Sequence, residues 1–263
     1  MDLKTSIKNE AAVGVLVKIV DNPAMLLMAK DVGLDFVFYD CEHGALSSNM
    51  LHDLLVCAKM AGIYTLVRTA QLAKSDIART LDLGAGGVMV PMIENKEQAQ
   101  QLVDFSKYPP LGKRSYSGGA NTHYAAGGHH AYHMSALNEQ TMSIVQIESA
   151  AGIEHIDEIL SVEGIDGAIV GPCDLAISMG HPDDLLCEEE LQAIRKVADA
   201  CKAHHKAFGV IGSMELIKKL NRRVDLIISA IDTNLIRAGL KQACDDVKAL
   251  KQKEGTTWEQ EMK

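Results

Sequence analysis

The sequence predicts an α/β fold, a single (β/α)8 TIM barrel, and three observations carry that prediction. Eight short apolar runs recur along the 263 residues: Val13–Ile19, Phe36–Tyr39, Tyr64–Val67, Val88–Val90, Ser143–Ile147, Ala168–Val170, Phe208–Ile211 and Leu226–Ser229. Segments of helical periodicity separate them, which is the signature of parallel strands joined by crossover helices. Several runs end in ionisable residues, and barrels of this class keep their chemistry at the C-terminal ends of the strands. A doubly wound open sheet is the structural alternative, but no Gly-rich fingerprint opens a helix after the first run.

Taken in order, the helical patterns cover about Pro23–Lys30, Ser48–Ala61, Ser75–Leu83, Lys96–Ser106, Gly152–Leu160, Glu188–His204, Ser213–Leu220 and Thr233–Lys251. Ser75 and Ser213 are placed to cap helix N-termini, and Gly33 and Gly62 sit where helices should stop. Leu235, Ile236, Ala238, Gly239, Leu240, Ala243 and Val247 give the last helix a wide apolar surface, more than a solvated terminal helix needs. Residues 107–142 break the alternation, being too long for a simple connection. This segment ends in a stretch holding His123, His129, His130 and His133. His129 and His133 fit a zinc pair on one helical face, but surface or subunit contact is the preferred reading. We find no repeat or linker and expect one barrel domain over 1–263, with a charged tail from about residue 251.

Bulk properties narrow the function. With 26 Lys and Arg against 35 Asp and Glu, the net charge is −9, which argues against nucleic acid or anionic lipid as the main partner. No apolar run approaches the length that spans a bilayer, and the N-terminus has no signal pattern. The six cysteines are scattered without a C-x-x-C pair, as expected of reduced thiols in the cytoplasm.

The runs then deliver their chemistry. Run five ends Val145-Gln146-Ile147-Glu148, and run six leads through Gly171-Pro172-Cys173 to Asp174. Two carboxylates at one end of the sheet suit a hard divalent cation, Mg²⁺, Mn²⁺ or Co²⁺. Gly171, lacking a Cβ, lets backbone approach a ligand. Run two ends Asp40-Cys41-Glu42-His43; an Asp three residues before a His can set its tautomer and make His43 a general base. Run three ends in Arg68, a fixed cation for an enolate or carboxylate. Run four ends in Pro91-Met92, which reads as packing. A metal chelated by a 2-oxo acid acidifies the adjacent carbon, so this set follows the logic of a metal-dependent aldolase.

The segments Asp40-x-Glu-His43, Val67-Arg68, Val90-Pro-Met92, Tyr108-Pro-Pro-x-Gly-x-Arg114, Val145-Gln-Ile-Glu148, Val162-Glu-Gly-x-Asp-Gly167 and Gly171-Pro-x-Asp-Leu175 resemble the HpcH/HpaI aldolase family of class II pyruvate aldolases. The resemblance runs from about residue 13 to 245. It implies a hexameric barrel whose last helix packs on a neighbouring subunit. It also implies cleavage of a 4-hydroxy-2-oxo acid to an aldehyde and pyruvate, through an enolate held at the metal. Glu148 and Asp174 would ligate that metal, Arg68 would hold the pyruvyl oxygen, and Gln146 would lie beside it. Asp40 and His43 would form the acid–base pair, with Glu42 a supporting acid.

Four departures accompany the resemblance: Leu16 and Val17 where many relatives carry a tryptophan, Cys41 and Cys173 in place of small residues, and Ser115-Tyr116-Ser117 where relatives are Gly-rich. All four are expected near the pocket that reads the aldehyde. Three other mechanisms stay open. A Schiff-base aldolase would use Lys18, which lies on the first strand without obvious partners. A lyase of the citrate lyase β-chain or malyl-CoA type would use similar acids on a thioester. A non-catalytic pyruvate- or phosphoenolpyruvate-binding barrel would need the metal acids and no base.

Overall fold

The structure, a computed structural model, describes residues 3–253, with side chains to residue 249. Strands β1 (Ala12–Val17), β2 (Phe36–Asp40), β3 (Tyr64–Arg68), β4 (Gly87–Val90), β5 (Met142–Ile147), β6 (Gly167–Val170), β7 (Ala207–Ile211) and β8 (Leu226–Ile231) close a barrel in chain order. Every pair is parallel, including the closing pair of β8 with β1. Helices α1 (Leu3–Asn9), α2 (Ala24–Asp31), α3 (Ser48–Ala61), α4 (Lys74–Asp82), α5 (Lys96–Ser106) and α6 (His130–Gln140) belong to the first half. The second half carries α7 (Ala150–Glu154), α8 (Ile156–Leu160), α9 (Pro172–Ser178), α10 (Glu188–Ala203), α11 (Met214–Leu220) and α12 (Asp232–Lys253). No described helix is long and apolar enough to cross a membrane.

Side chains alternate across each strand, so the barrel has two cores. The outward residues Val15, Val37, Val67, Val88, Val145 and Val170 pack under the helices with Leu54, Leu102, Ile159 and Val197. The inward residues Leu16, Phe36, Phe38, Leu66, Met89, Ile144, Ile169 and Ile228 fill the lumen. Burying each such side chain is worth roughly 1.5–3 kcal/mol, so the lumen is a solid plug rather than a channel. Helix α1 stoppers the N-terminal end, adding Leu3 and Ile7 to the lumen cluster while Lys4 pairs with Asp166 at 2.8 Å. Carried one step further, the alternation turns polar at the other end: Leu16 leads to Lys18, Phe38 to Asp40, Leu66 to Arg68, and Ile144 to Gln146 and Glu148. That ring of polar groups roofs the apolar plug.

The caps follow the sequence in part. Ser213 accepts the Leu216 amide at 3.2 Å, and Gly62 ends α3 in the left-handed region at φ 68°, as expected from glycine's freedom there. Ser75 is no cap. Helix α4 begins after Ala73, and the Ser75 hydroxyl donates to Asp76 at 3.1 Å. The helix expected over Gly152–Leu160 is broken into α7 and α8 around His155, whose Nδ1 bonds the Glu94 carbonyl at 3.0 Å.

The long segment after α5 is pinned at the N-terminal end of the barrel. Lys107, 1% exposed, donates from Nζ to the Thr141 carbonyl at 2.5 Å and to Asp166 Oδ2 at 2.9 Å. Arg114 bonds Asp82 at 2.5 Å and lies over the Tyr108 ring at 4.7 Å. Asp82, Thr141 and Asp166 all precede strands, so Ser115–Ser117 does not line this chain's own mouth, contrary to the sequence expectation. His130 stacks on Tyr116 at 4.9 Å. Among the described residues no group of three His, Cys, Asp or Glu side chains is placed to hold a metal ion, the four histidines included. Apart from the backbone of 251–253, the charged tail lies outside the described residues.

Candidate active site at the barrel mouth

Strand register builds the first half of the site. Asp40 pairs with Arg68 across β2 and β3, so both side chains emerge side by side on the lumen face. The guanidinium meets the carboxylate as a fork, Nε to Oδ1 at 2.9 Å and Nη2 to Oδ2 at 2.7 Å. Asp40 is fully buried. Its Oδ1 also accepts the amides of Glu42 and His43, at 3.1 and 3.2 Å. Burial alone would raise its pKa, but the Arg68 fork and charge together with the two amides outweigh that and hold the carboxyl below its usual range. Glu42 Oε2 lies 3.0 Å from Arg68 Nη1, an ion-pair separation without hydrogen-bond alignment.

The second half stands across the mouth. Gln146 and Glu148 are two residues apart at the end of β5 and therefore share the lumen face. Arg68 Nη1 donates to Gln146 Oε1 at 3.4 Å, and Gln146 Nε2 donates in turn to Glu148 Oε2. A polar chain thus runs Asp40–Arg68–Gln146–Glu148 from β2 to β5. Glu148 Oε1 accepts the Met92 amide at 2.9 Å. A Cβ on Gly171 would lie 2.7 Å from Glu148 Oε2 and 2.8 Å from Gln146 Nε2, so only glycine lets β6 approach this carboxylate so closely. Pro172 opens α9, and Asp174 follows, exposed, in its first turn. Burial above all, with the charges of Asp174 and Glu42 adding to it, pushes Glu148 up to about 7 despite the Met92 amide and Arg68.

That raised value is the test of fit for a metal. Two carboxylates converge here, one buried and short of positive charge, and hard oxygens are what Mg²⁺, Mn²⁺ or Co²⁺ prefers. Glu148 and Asp174 fit as the protein ligands of such a cation, the remaining positions falling to water or substrate oxygens.

Other expected residues land differently. The Asp40 carboxylate does not reach the His43 ring; it is spent on Arg68 and on the His43 backbone amide. The imidazole is 58% exposed, with Glu42 Oε2 at 3.7 Å from Nε2, so Glu42 rather than Asp40 is its carboxylate neighbour. Lys18, expected to lack partners, stands just past β1 with Nζ 3.7 Å from Asp40 Oδ2. Gly171 lies against Glu148 and Gln146, at the same end of the barrel as the other candidates. Cys41 is pushed up to about 11 by burial and by Asp40, which suits packing and not nucleophilic attack; Cys173 is exposed.

Two residues escaped sequence reasoning. Met92, assigned to packing, sits in the left-handed region at φ 54° with 48% of its surface exposed, and its amide holds Glu148. Asp232, 4% exposed, accepts the amides of Lys18, Ile19 and Val20 on one oxygen at 3.0, 2.8 and 2.9 Å. The apolar run ending Ser229-Ala230-Ile231-Asp232 carried the only signal for the latter, a fourth strand-end acid.

Fold and site together define a (β/α)8 enzyme with its polar groups gathered at the C-terminal mouth. The chain belongs to the HpcH/HpaI aldolase/citrate lyase family, which it matches over residues 16–230. It is 34% identical over 186 residues to a 2-keto-3-deoxy-L-rhamnonate aldolase of Salmonella schwarzengrund (strain CVM19633), covering 70% of this chain and 67% of that one. The HpcH/HpaI aldolase from Desulfitobacterium hafniense DCB-2 superposes with a TM-score of 0.87 at 27% identity, covering 98% of each chain. Citrate synthase SbnG superposes with a TM-score of 0.85 at 28% identity, covering 95% of this chain and 99% of that one.

Proposed function

We propose that this protein is a divalent-metal-dependent aldolase that cleaves a 4-hydroxy-2-oxo acid to pyruvate and an aldehyde. The observation that carries the reading is the asymmetry of the mouth: a guanidinium fixed by Asp40 faces a buried carboxylate, Glu148, whose neighbours Asp174 and Glu42 are acids. Glu148 and Asp174 would hold Mg²⁺, Mn²⁺ or Co²⁺, which when bound supplies Lewis-acid polarisation of the 2-oxo group. Arg68 offers Nη1, the arm not committed to Asp40, to the oxygen that gains charge as the C3–C4 bond breaks. His43 takes the proton of the C4 hydroxyl and, through water, returns a proton to C3 of the enolate, completing the methyl group of pyruvate. Gln146 ties the two halves so that the arginine and the carboxylates keep one spacing.

Deuterium exchange at the methyl group of pyruvate, followed by NMR, isolates this chemistry. Exchange should need an added divalent cation and should slow on the order of 10²–10⁴-fold in His43→Ala. Arg68→Lys keeps the charge but loses the fork, and should lower turnover far more than it raises KM. Full exchange by the wild-type protein in excess chelator would overturn the metal reading and revive Lys18 as a Schiff-base residue.

We also infer a homo-oligomer, with a hexamer as the expected state, built through α12. Leu235 (55% exposed), Ile236 (42%), Leu240 (68%) and Val247 (52%) leave that helix an apolar face that the described residues do not cover. Light scattering giving a compact monomer at micromolar concentration would refute it.

A further inference from the structure

Lys18 occupies a prepared position. Its backbone is clamped from both sides: Asp232, at the end of β8, accepts the amides of Lys18, Ile19 and Val20, and the Lys18 carbonyl accepts the Ala45 amide of the β2 loop at 2.9 Å. A buried carboxylate is committed to holding this one turn, which suits a residue whose position must be defined before a ligand arrives. The side chain keeps 29% of its surface exposed, and its ammonium makes no hydrogen bond among the described residues. The nearest anion, Asp40 Oδ2 at 3.7 Å, lies beyond hydrogen-bond length and is already met by the Arg68 fork and two amides. Asp40 holds Lys18 at the mouth without using its donors.

The ring order supplies direction. In a closed barrel of eight strands β1 stands opposite β5, so Lys18 and Glu148 face each other across the mouth, with Arg68 on β3 between them. A chain whose 2-oxo end lies against Arg68 and Glu148 can reach across the mouth toward β1. There it meets an ammonium with open donor positions. We propose that Lys18 is a specificity-determining residue that binds an anionic group, carboxylate or phosphate, at the far end of the aldehyde half. The inference rests on the aldolase reading above and names the class of acceptor: an aldehyde carrying its own negative charge.

The test compares matched acceptors in the aldol addition of pyruvate, with the full chain loaded with Mn²⁺. Glyoxylate is set against acetaldehyde, and D-glyceraldehyde 3-phosphate against D-glyceraldehyde. The wild-type protein should prefer the charged member of at least one pair, and the pair showing the larger preference separates carboxylate from phosphate. Lys18→Met should reduce that charged-to-neutral ratio of kcat/KM by about tenfold to a hundredfold, the worth of a charged hydrogen bond. Lys18→Arg should keep most of the ratio. Equal losses on charged and neutral acceptors in Lys18→Met, or no wild-type preference, would overturn the inference while leaving the aldolase standing. Borohydride trapping of pyruvate on Lys18 would overturn it in favour of covalent catalysis. Absence of metal-dependent pyruvate exchange in the wild-type protein is a separate result that removes the aldolase itself.

Discussion

Asp40 and Glu148 both stand at strand ends with almost no exposure, and both feel burial as the largest single influence on their protons. The outcomes are opposite. On the β2–β3 side the register supplies Arg68 as a forked partner, and Asp40 is held ionised below its usual range. On the β5–β6 side Glu148 receives one amide from Met92, one from Gln146 and two neighbouring negative charges, and it rises to about 7. The difference lies in the identity of the partner, not the depth of burial. One half of the mouth is electrostatically complete in the protein alone. The other balances its acids only by keeping the proton on Glu148.

The harshest way to break this contrast is to remove the complete side's anion. Asp40→Ala strands a buried guanidinium with the misaligned Glu42 and the long Gln146 hydrogen bond as its remaining contacts, and should destabilise the fold by about 3–5 kcal/mol. Arg68→Ala should do comparable harm by stranding Asp40. The double substitution should cost clearly less than the sum, since each half of the pair is then gone. Urea unfolding of the four proteins measures this cycle. Additive losses would mean that Asp40 and Arg68 are not one unit, and the contrast with Glu148 would lose its basis.

A sharper probe sets the two sides against each other by pH. In metal-free protein Glu148 keeps its proton to about 7, against an ordinary value of 4.5. Between those values the folded state binds more protons than the unfolded one, so stability should fall as pH rises from about 4.5 to about 7. The gap corresponds to a loss on the order of 3 kcal/mol. Asp40 acts in the reverse sense: its pKa is lowered from 3.8, so its contribution is present at neutral pH and is lost as pH falls below about 4. Glu148→Gln should flatten the upper slope and leave the acid limb intact. A divalent cation should also flatten it, because it replaces the proton on Glu148. An unchanged upper slope in Glu148→Gln would show that another group carries it.

How much of this was legible depends on range. Helices α3 and α5 coincide with the expected spans Ser48–Ala61 and Lys96–Ser106 because their apolar faces and caps are local signals. Helix α1 was missed because its buried residues, Leu3 and Ile7, make a single contact line that has meaning only once a barrel exists to be stoppered. Helix α6 has no buried residue, so no periodicity announced it. Asp40, Arg68 and Glu148 were legible as ionisable residues closing apolar runs, and Gln146 only through the family resemblance. Their pairing was out of reach. That Asp40 serves Arg68 and not His43 follows from strand register, which sequence spacing within one loop does not reveal.

Met92 sharpens the contrast most gently. A residue other than glycine at φ 54° carries backbone strain on the order of 1 kcal/mol, and such strain survives only where its surroundings impose it. Here the imposing contact is the Met92 amide on Glu148 Oε1, while the half-exposed side chain adds little. Met92→Gly keeps the amide and relieves the strain, and the added freedom of the unfolded chain offsets part of that relief. Stability should therefore change by less than about 1 kcal/mol, and the pH slope assigned to Glu148 should be that of the wild-type protein. The same urea titrations across pH provide the measurement. A loss in the range of a core truncation, about 2–5 kcal/mol, would make Met92 the packing residue its sequence suggested. A changed slope at unchanged stability would instead mean that the methionine side chain, by keeping water from Glu148, is what holds that proton in place.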